Sequence, residues 1–515
     1  MKTGILGHQV IEILKDEWRL QWRNWGTWLV GIFFLAVVLS EHPVFAGFNF
    51  SVAKNAGYWA DRASLVGSLV AMLTVPFALD RVRRQRVAPI EFSKPFEKLT
   101  YVAGKFMGAV FPLILVVVVS MIIHLVVTVA TAQSVTVLTA LGAYLNQMSI
   151  IAFPPLFYAA SLTFCLSVYI RRPIIIIPLY LFYLTTTSLT QAAADANFSW
   201  LSPLVRPEYF GGMIPTELIP TVWLHQIIYL SLSAGFLVLA AYGFQRKRFL
   251  GTERSFVWWK RFRFPFIPGL GVKVRMLWGG HIVAALLMAF FAISNTLSNP
   301  ETHPILLAKY ALFGLEFYLP VTGLLILAGV IARDKGMGAL DLVLTKPVKR
   351  WRLLGERLLP ALAVYGIICM FAVALLRRIY PSLPILKALL VSLSTGIYLG
   401  LIGMTVADVT HNTLAGYGAG LIFWFFEAAF DGRFTAPFYL FIVSNQVHDA
   451  AGEVWQNPAI WLPVKVGLLV LAMWLFLLNG WLLDAGSTRR RVLIILVSSI
   501  SVIFIFGWWL MPIFV

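Results

Sequence analysis

The sequence predicts an all-α polytopic membrane protein with about 12 transmembrane helices, or 13 if its last apolar run also crosses, in two homologous halves. Three observations predict this. First, the 515 residues are 59% hydrophobic and only 12% charged, with a mean hydropathy of +0.82. A soluble domain of that length could not hide so much apolar surface, so the solvent must be lipid. Second, the apolar runs are continuous, as in Leu113–Val129 and Val492–Phe506, and do not alternate. Lipid offers no hydrogen-bond partners, so spanning segments are helices or closed barrels, and unbroken runs favour helices. Third, a basic segment occurs twice. Pro95, Lys98 and Lys105 match Pro347, Arg350 and Arg357 at one constant offset of 252, close to half the chain.

The elements follow in order. Ile11, Leu14, Trp18, Trp22 and Trp25 share one helical stripe, and Glu12, Asp16, Arg19 and Arg23 share another. That pattern predicts an amphipathic helix lying in the cytosolic interface before the first span. The first 26 residues lack the short apolar core and small-residue cleavage site of a signal peptide. Spans of roughly 20 apolar residues are predicted at about 27–46, 62–79, 104–131, 141–169, 173–190 and 222–243. The segment Gln191–Thr221 is poor in Lys and Arg and rich in Pro, Gly, Asn and aromatics, which predicts an external segment that dips partly back into the membrane. Residues 1–250 form the first half. A basic linker over 244–277, with Phe and Trp interleaved among Lys and Arg, reads as a membrane-surface anchor.

The second half, 251–488, repeats the plan with spans at about 278–295, 311–332, 358–377, 384–407, 413–430 and 459–483. Its external segment is Asp431–Pro458, placed like the first between the fifth and sixth spans. Residues 489–515 hold the candidate thirteenth span, after Arg489, Arg490 and Arg491. Arg377 and Arg378, on the predicted external side, are the local exception to an otherwise regular charge pattern.

The net charge of +18 is carried by short loops: Arg81, Arg83, Arg84 and Arg86; Arg171 and Arg172; Arg246, Lys247 and Arg248; Lys260, Arg261 and Arg263. This is the positive-inside pattern, with the N-terminus cytosolic and anionic lipid headgroups as neighbours. It excludes the nucleic-acid reading that the charge alone invites, since stacking on bases needs a folded platform. Cys165 and Cys369 both lie inside apolar runs and read as small core residues, not a disulfide or a metal pair. No phosphate-binding loop, His-Glu-x-x-His or Gly-x-Ser-x-Gly is present, so no catalytic residue and no metal site is assigned. His124 stands alone in an apolar run and reads as a packed, hydrogen-bonded side chain.

The second basic loop runs Ala332-Arg333-Asp334-Lys335-Gly336-Met337-Gly338-Ala339-Leu340-Asp341-Leu342-Val343-Leu344-Thr345-Lys346-Pro347-Val348-Lys349-Arg350-Trp351-Arg352 and on to Arg357. It resembles the loop after the second span of type-2 ABC exporter permeases. That loop has an acidic and basic stretch, a Gly, a small-Leu-Glu-Leu-Leu type helix and a Pro-Val-Ser-Arg type turn. Asp341 stands where Glu is more usual and Lys349 where Ser is more usual. The first copy departs further, with Val87-Ala88-Pro89-Ile90-Glu91-Phe92 in place of the Gly-small-Leu-acidic run. The resemblance implies a permease subunit with both half-transporters fused in one chain. It implies coupling helices over about Pro89–Lys98 and Asp341–Arg352 that dock on two copies of a separate ATPase, which would hold the ATP and Mg. The coupling residues so implied are Pro89, Glu91, Lys94, Pro95 and Lys98 in the first loop, and Asp341, Leu344, Lys346, Pro347, Arg350 and Trp351 in the second. An amphipathic helix with an apolar stripe can seat in a partner's groove and pass on a rigid-body push.

Ionisable and polar residues at membrane depth are costly, so each is a candidate lining of a path. Asn146, Gln147, Glu316 and Glu427 qualify, with a place at the headgroup interface as the alternative for both glutamates. Two other readings of the chain stay open. One is an ion-coupled secondary transporter with two repeat-related halves, a class that carries ionisable residues mid-span. The other is a membrane-embedded transferase, for which the external segments offer Asp195, Arg206, Glu208, Asp431, Arg433, His448 and Asp449 without a recognisable spacing.

Overall fold

The computed structural model describes residues 2–22, 31, 34–35, 38, 51–79, 97–131, 136–170, 173–193, 202–205, 216–245, 280–298, 311–312, 314–331, 350–410, 412–430, 439–445 and 458–482. Among these residues the protein is all-helical. Seven helices are long and apolar enough to cross a membrane, and four shorter apolar helices, Pro173–Leu184, Ile282–Ile293, Gly314–Leu327 and Ala415–Phe425, accompany them. The chain divides into two compact units, Met1–Phe262 and Arg263–Val515. The candidate thirteenth span lies outside the described residues.

Unit 1 opens with helix α1 (Lys2–Trp22). Its inward face is Val10, Ile13, Glu17 and Gln21, and the partner is α3 (Lys98–Thr131). Gly104 and Gly108 lie one turn apart on α3, and a Cβ on either would strike Ile13 or Glu17. Small residues four apart let two helix backbones approach closely. The approach buries an ion pair, Lys105 Nζ to Glu17 Oε2 at 3.0 Å, with Gln21 donating to Glu17 at 3.3 Å. Trp18 of the aromatic stripe packs on Phe111 of α3.

Helix α2 (Val52–Thr74) starts ten residues before its predicted span, on Ser51, whose side chain accepts from the Lys54 N–H. Lys54, Asn55, Asp61 and Arg62 lower the hydropathy of those first turns and hide them from an apolar window. Among the described long spans of the unit it is the most enclosed, with 83% of its most apolar stretch buried. Helix α4 (Val137–Gln147) passes through a π-turn, Met148–Ala152, into α5 (Phe153–Tyr169). Pro154 and Pro155 follow the π-turn; neither has an N–H for the ordinary i to i−4 bond, and the register slips there. A 3-10 turn and α6 (Ile176–Ala193) come next, then α7 (Ile219–Gly243). Helix α5 packs against both α2 and α7. Helix α7 is only 28% buried, and Trp223, Leu224, Ile227, Ile228, Leu230 and Leu232 are exposed along it. A continuous apolar face of that kind is matched by lipid, not water.

Unit 2 begins with α8 (Gly280–Ser298), a π-turn Gly314–Tyr318 and α9 (Leu319–Leu327). Pro320 has no N–H for the Glu316 carbonyl, which again explains the π-turn. Helix α10 (Arg350–Ile379) begins eight residues before its predicted span and ends in Arg377 and Arg378, both exposed in the last turn. The helix C-terminus carries partial negative charge, which favours cations there and accounts for the pair. Helix α11 (Ile385–Thr410) is the hub, packed against α9, α10, α12 (Thr413–Phe430) and α14 (Pro458–Leu482). Between α12 and α14 the short α13 (Ile442–Asn445) rests on α14.

Glycines set the spacing around α11. A Cβ on Gly396 would meet the Tyr365 hydroxyl, one on Gly323 the Gly396 carbonyl, and one on Gly416 the Gly403 carbonyl. The Tyr365 hydroxyl uses that closeness to donate to Ser392 O at 2.8 Å. Backbone cannot yield as a flexible side chain can. Gly416→Ala is therefore expected to destabilise by about 1–3 kcal/mol, the usual range for overpacking. Gly235 faces open space, and Gly235→Ala is expected to be neutral or stabilising by up to about 1 kcal/mol. Thermal midpoints of the two purified variants in one detergent check the contrast; equal shifts would refute it.

Candidate functional site

Two of the four predicted path residues, Glu316 and Glu427, come together in unit 2, around a lysine. Lys465 is the eighth residue of α14, 0% exposed. Its ammonium has three N–H donors and meets three acceptors: Glu316 Oε1 at 2.6 Å, Leu440 O at 2.6 Å and Thr395 Oγ1 at 3.0 Å. The donor set of a lysine is thereby filled. Glu316 is 0% exposed and Glu427 1%. Glu316 Oε1 also accepts the Val443 N–H at 3.2 Å, and Glu427 Oε2 accepts the Leu440 N–H at 3.2 Å.

Each group is placed by a local feature of the sequence. The π-turn ahead of Pro320 carries Glu316. The same turn leaves the Phe317 carbonyl to accept from Trp424 Nε1 at 2.8 Å. Helix α12 carries Glu427, α11 carries Thr395, and the segment before α14 supplies Leu440 and Val443 through their backbones. Phe441 of that segment packs on Phe317 and Trp424, with ring centroids 5.6 and 6.4 Å away. Chemically, the arrangement can hold an ion pair dry and fasten a stretch of backbone to the end of the helix bundle. Removing one member leaves a buried charge with no counter-charge, which is why such pairs are costly to break.

Unit 1 holds a buried neutral amide. Gln226, 0% exposed and the eighth residue of α7, donates from Nε2 to Pro203 O at 3.3 Å. Deeper in unit 1, Ser120, His124 and Thr128 rise along one face of α3. Ser120 accepts from Trp59 Nε1 at 3.2 Å, while His124 Nδ1 and Thr128 Oγ1 lie 2.5 and 2.8 Å from the Tyr144 hydroxyl. His124 is thus packed and hydrogen-bonded, as expected of a lone histidine in a span. Cys165 and Cys369 are both free and buried.

The other predicted residues are dispersed. Asn146 is exposed and Gln147 half-buried, both at the end of α4. Lys98 is exposed in the first turn of α3. Arg350 and Trp351 begin α10, so this end of the second loop is continuous with a 30-residue helix. Trp351 is 45% exposed, and its ring lies over Gly480 and 5.7 Å from that of Phe476 on α14. Pro89, Glu91, Lys94, Pro95, Asp341, Leu344, Lys346 and Pro347 lie outside the described residues. Sequence reasoning missed Lys465, although a lysine in the apolar run 459–483 is the kind of signal that had singled out Glu316. Glu17 belonged to neither predicted stripe of α1.

Lys465→Met is expected to cost about 3–5 kcal/mol of stability by stranding Glu316. The double variant Glu316→Gln with Lys465→Met removes both charges and is expected to regain more than half of that loss. Denaturation midpoints of the single and double variants check it, and a double variant less stable than the single would refute the pairing. No family model, no curated protein and no solved structure matches the chain.

Proposed function

We propose that the chain is the permease subunit of an ATP-driven exporter, with two six-span halves fused in one polypeptide in the cell membrane and the N-terminus in the cytosol. Two copies of a separate ATPase would bind its two basic loops and hold the ATP and Mg. The observation that carries this reading is a recurrent plan in the two units. In each, the predicted fourth span (α5 in unit 1, α11 in unit 2) packs against the predicted second and sixth. In each, an 18-residue helix precedes a 25-residue helix across a connecting segment, which in unit 2 carries the short α13. The eighth residue of that longer helix donates to a backbone carbonyl 23 residues earlier in unit 1 and 25 residues earlier in unit 2. Helices α3 and α10 begin at Lys98 and Arg350, the two positions paired in the repeated basic segment. These recurrences, with the basic segment that occurs twice in the sequence, support a reading in which two similar halves offer two grips to one motor, and the loop resemblance supplies the motor's class.

The second reading, an ion-coupled transporter, is favoured by one observation: the buried Glu316, Lys465 and Glu427 cluster is the kind of site at which a coupling ion or proton is held.

The two readings part on a single experiment. Affinity purification of the full chain from its native membrane is expected to bring down a soluble subunit with a phosphate-binding loop, at two per chain. Substituting Ala at Lys346, Pro347 and Arg350 is expected to lower ATP hydrolysis by the reconstituted complex at least about tenfold, a coupling loss near 1.4 kcal/mol. The same change at Lys94 and Pro95 is expected to cost less, because the first loop departs further from the motif. Transport by the chain alone, abolished by collapsing an ion gradient with ATP intact, would refute the exporter reading and favour the second.

A further inference from the structure

The buried charges of unit 2 do not face one another alone: they converge on backbone. Lys465 from α14, Glu316 from the π-turn and Glu427 from α12 take, in turn, the Leu440 carbonyl, the Val443 N–H and the Leu440 N–H. Three charged side chains from three elements thus hold the backbone at two residues three apart, Leu440 and Val443, and the Phe441 ring between them is set against Phe317 and Trp424. The corresponding segment of unit 1 is reached by the neutral amide of Gln226, which donates to Pro203 O. Its Leu204 N–H bonds to the neighbouring Ser202 hydroxyl.

We propose that residues 439–445 are an electrostatic latch, closed on unit 2 by Lys465, Glu316 and Glu427, and that the segment around Pro203, held by Gln226, opens more readily. The physical reason lies in what opening leaves behind. A neutral amide that loses one carbonyl loses one ordinary hydrogen bond. The charged cluster loses backbone partners on both signs at once, inside an apolar bundle, so it stays shut until water or a charged ligand enters to replace them. The latch has two states, dry and shut or wet and open, with little between. The two units then present unequal segments at equivalent places, the tight one belonging to unit 2. This inference does not rest on the exporter reading, because it concerns only the local opening of each segment.

Cysteine accessibility tests it. In a Cys165→Ala, Cys369→Ala background, Val443→Cys and Leu204→Cys each place one thiol at a buried position of one segment. With the purified full chain in lipid nanodiscs and a polar maleimide as probe, Leu204→Cys is expected to react at least about tenfold faster than Val443→Cys, since local opening sets the rate. Adding Lys465→Gln, which keeps an N–H donor and removes the charge, is expected to speed Val443→Cys at least about tenfold and leave Leu204→Cys unchanged. Equal rates in the two segments, or a Val443→Cys rate indifferent to Lys465→Gln, would overturn the proposal. If Lys465→Gln does not fold, amide hydrogen exchange on the unaltered chain decides instead. Leu440 and Val443 are expected to exchange more slowly than Leu204, and the reverse order would overturn it.

Discussion

A lysine ammonium inside an apolar bundle must find an acceptor for every N–H it carries, and Lys465 finds three on three separate elements. The idealised cost of moving such an ion from water to a medium of low dielectric is of order 20 kcal/mol. A cost of that size admits few solutions. Here it is met by a carboxylate, a hydroxyl and a carbonyl, each within 3.0 Å. Meeting it fixes more than the lysine. Glu316 must sit in the π-turn, α11 must present Thr395, and the chain before α14 must return with its Leu440 carbonyl toward the bundle. The position of one side chain therefore constrains the relative register of α9, α11 and α14.

That constraint can be met only if the helices are close. Alanine at Gly396, Gly400, Gly403 or Gly416 would collide with backbone or packed side chains of a neighbouring element. Glycine at these places brings helix axes together in a medium where the hydrophobic effect does not drive association between spans. Unit 1 joins the same two devices at another place. Gly104 and Gly108 admit α1, and the resulting contact buries Glu17 against Lys105 at 3.0 Å. In both units close packing comes from absent side chains, and the specific register comes from one ion pair that only that closeness allows.

Much of this was legible in the sequence. The cores of the described spans fall where continuous apolar runs lie, because lipid selects for length and hydropathy and little else. The first turns of α2, α3 and α10 were not legible, because Lys54, Asn55, Lys98 and Arg350 dilute the apolar average while remaining compatible with helix. Glu316 and Glu427 stood out as acids in apolar surroundings. Lys465 was absorbed into a run whose Leu, Val and Trp outweigh it, and the backbone acceptors at Leu440 and the donor at Val443 leave no trace in residue identity. Glu17 was hidden for a related reason. An amphipathic pattern sorts residues by polarity and cannot announce that a polar residue faces inward to a partner 88 positions away.

The contrast between Gln226 and Lys465 bears on what the charge adds. In unit 1 a neutral amide tethers the segment before the sixth predicted span, since Gln226 reaches Pro203 O. A charge is not needed for a side chain to hold a backbone carbonyl in this way. A net neutral hydrogen bond contributes about 0.5–1.5 kcal/mol, and its loss is tolerable. The ammonium instead introduces a demand for an anion, which commits Glu316 and, with it, the distortion ahead of Pro320. Glu427 then holds the same peptide from its other side through the Leu440 N–H. The charge converts a local tether into a joint among α9, α11, α12, α14 and the segment between the last two. A joint of that kind resists small displacements and yields only when its charges acquire new partners together.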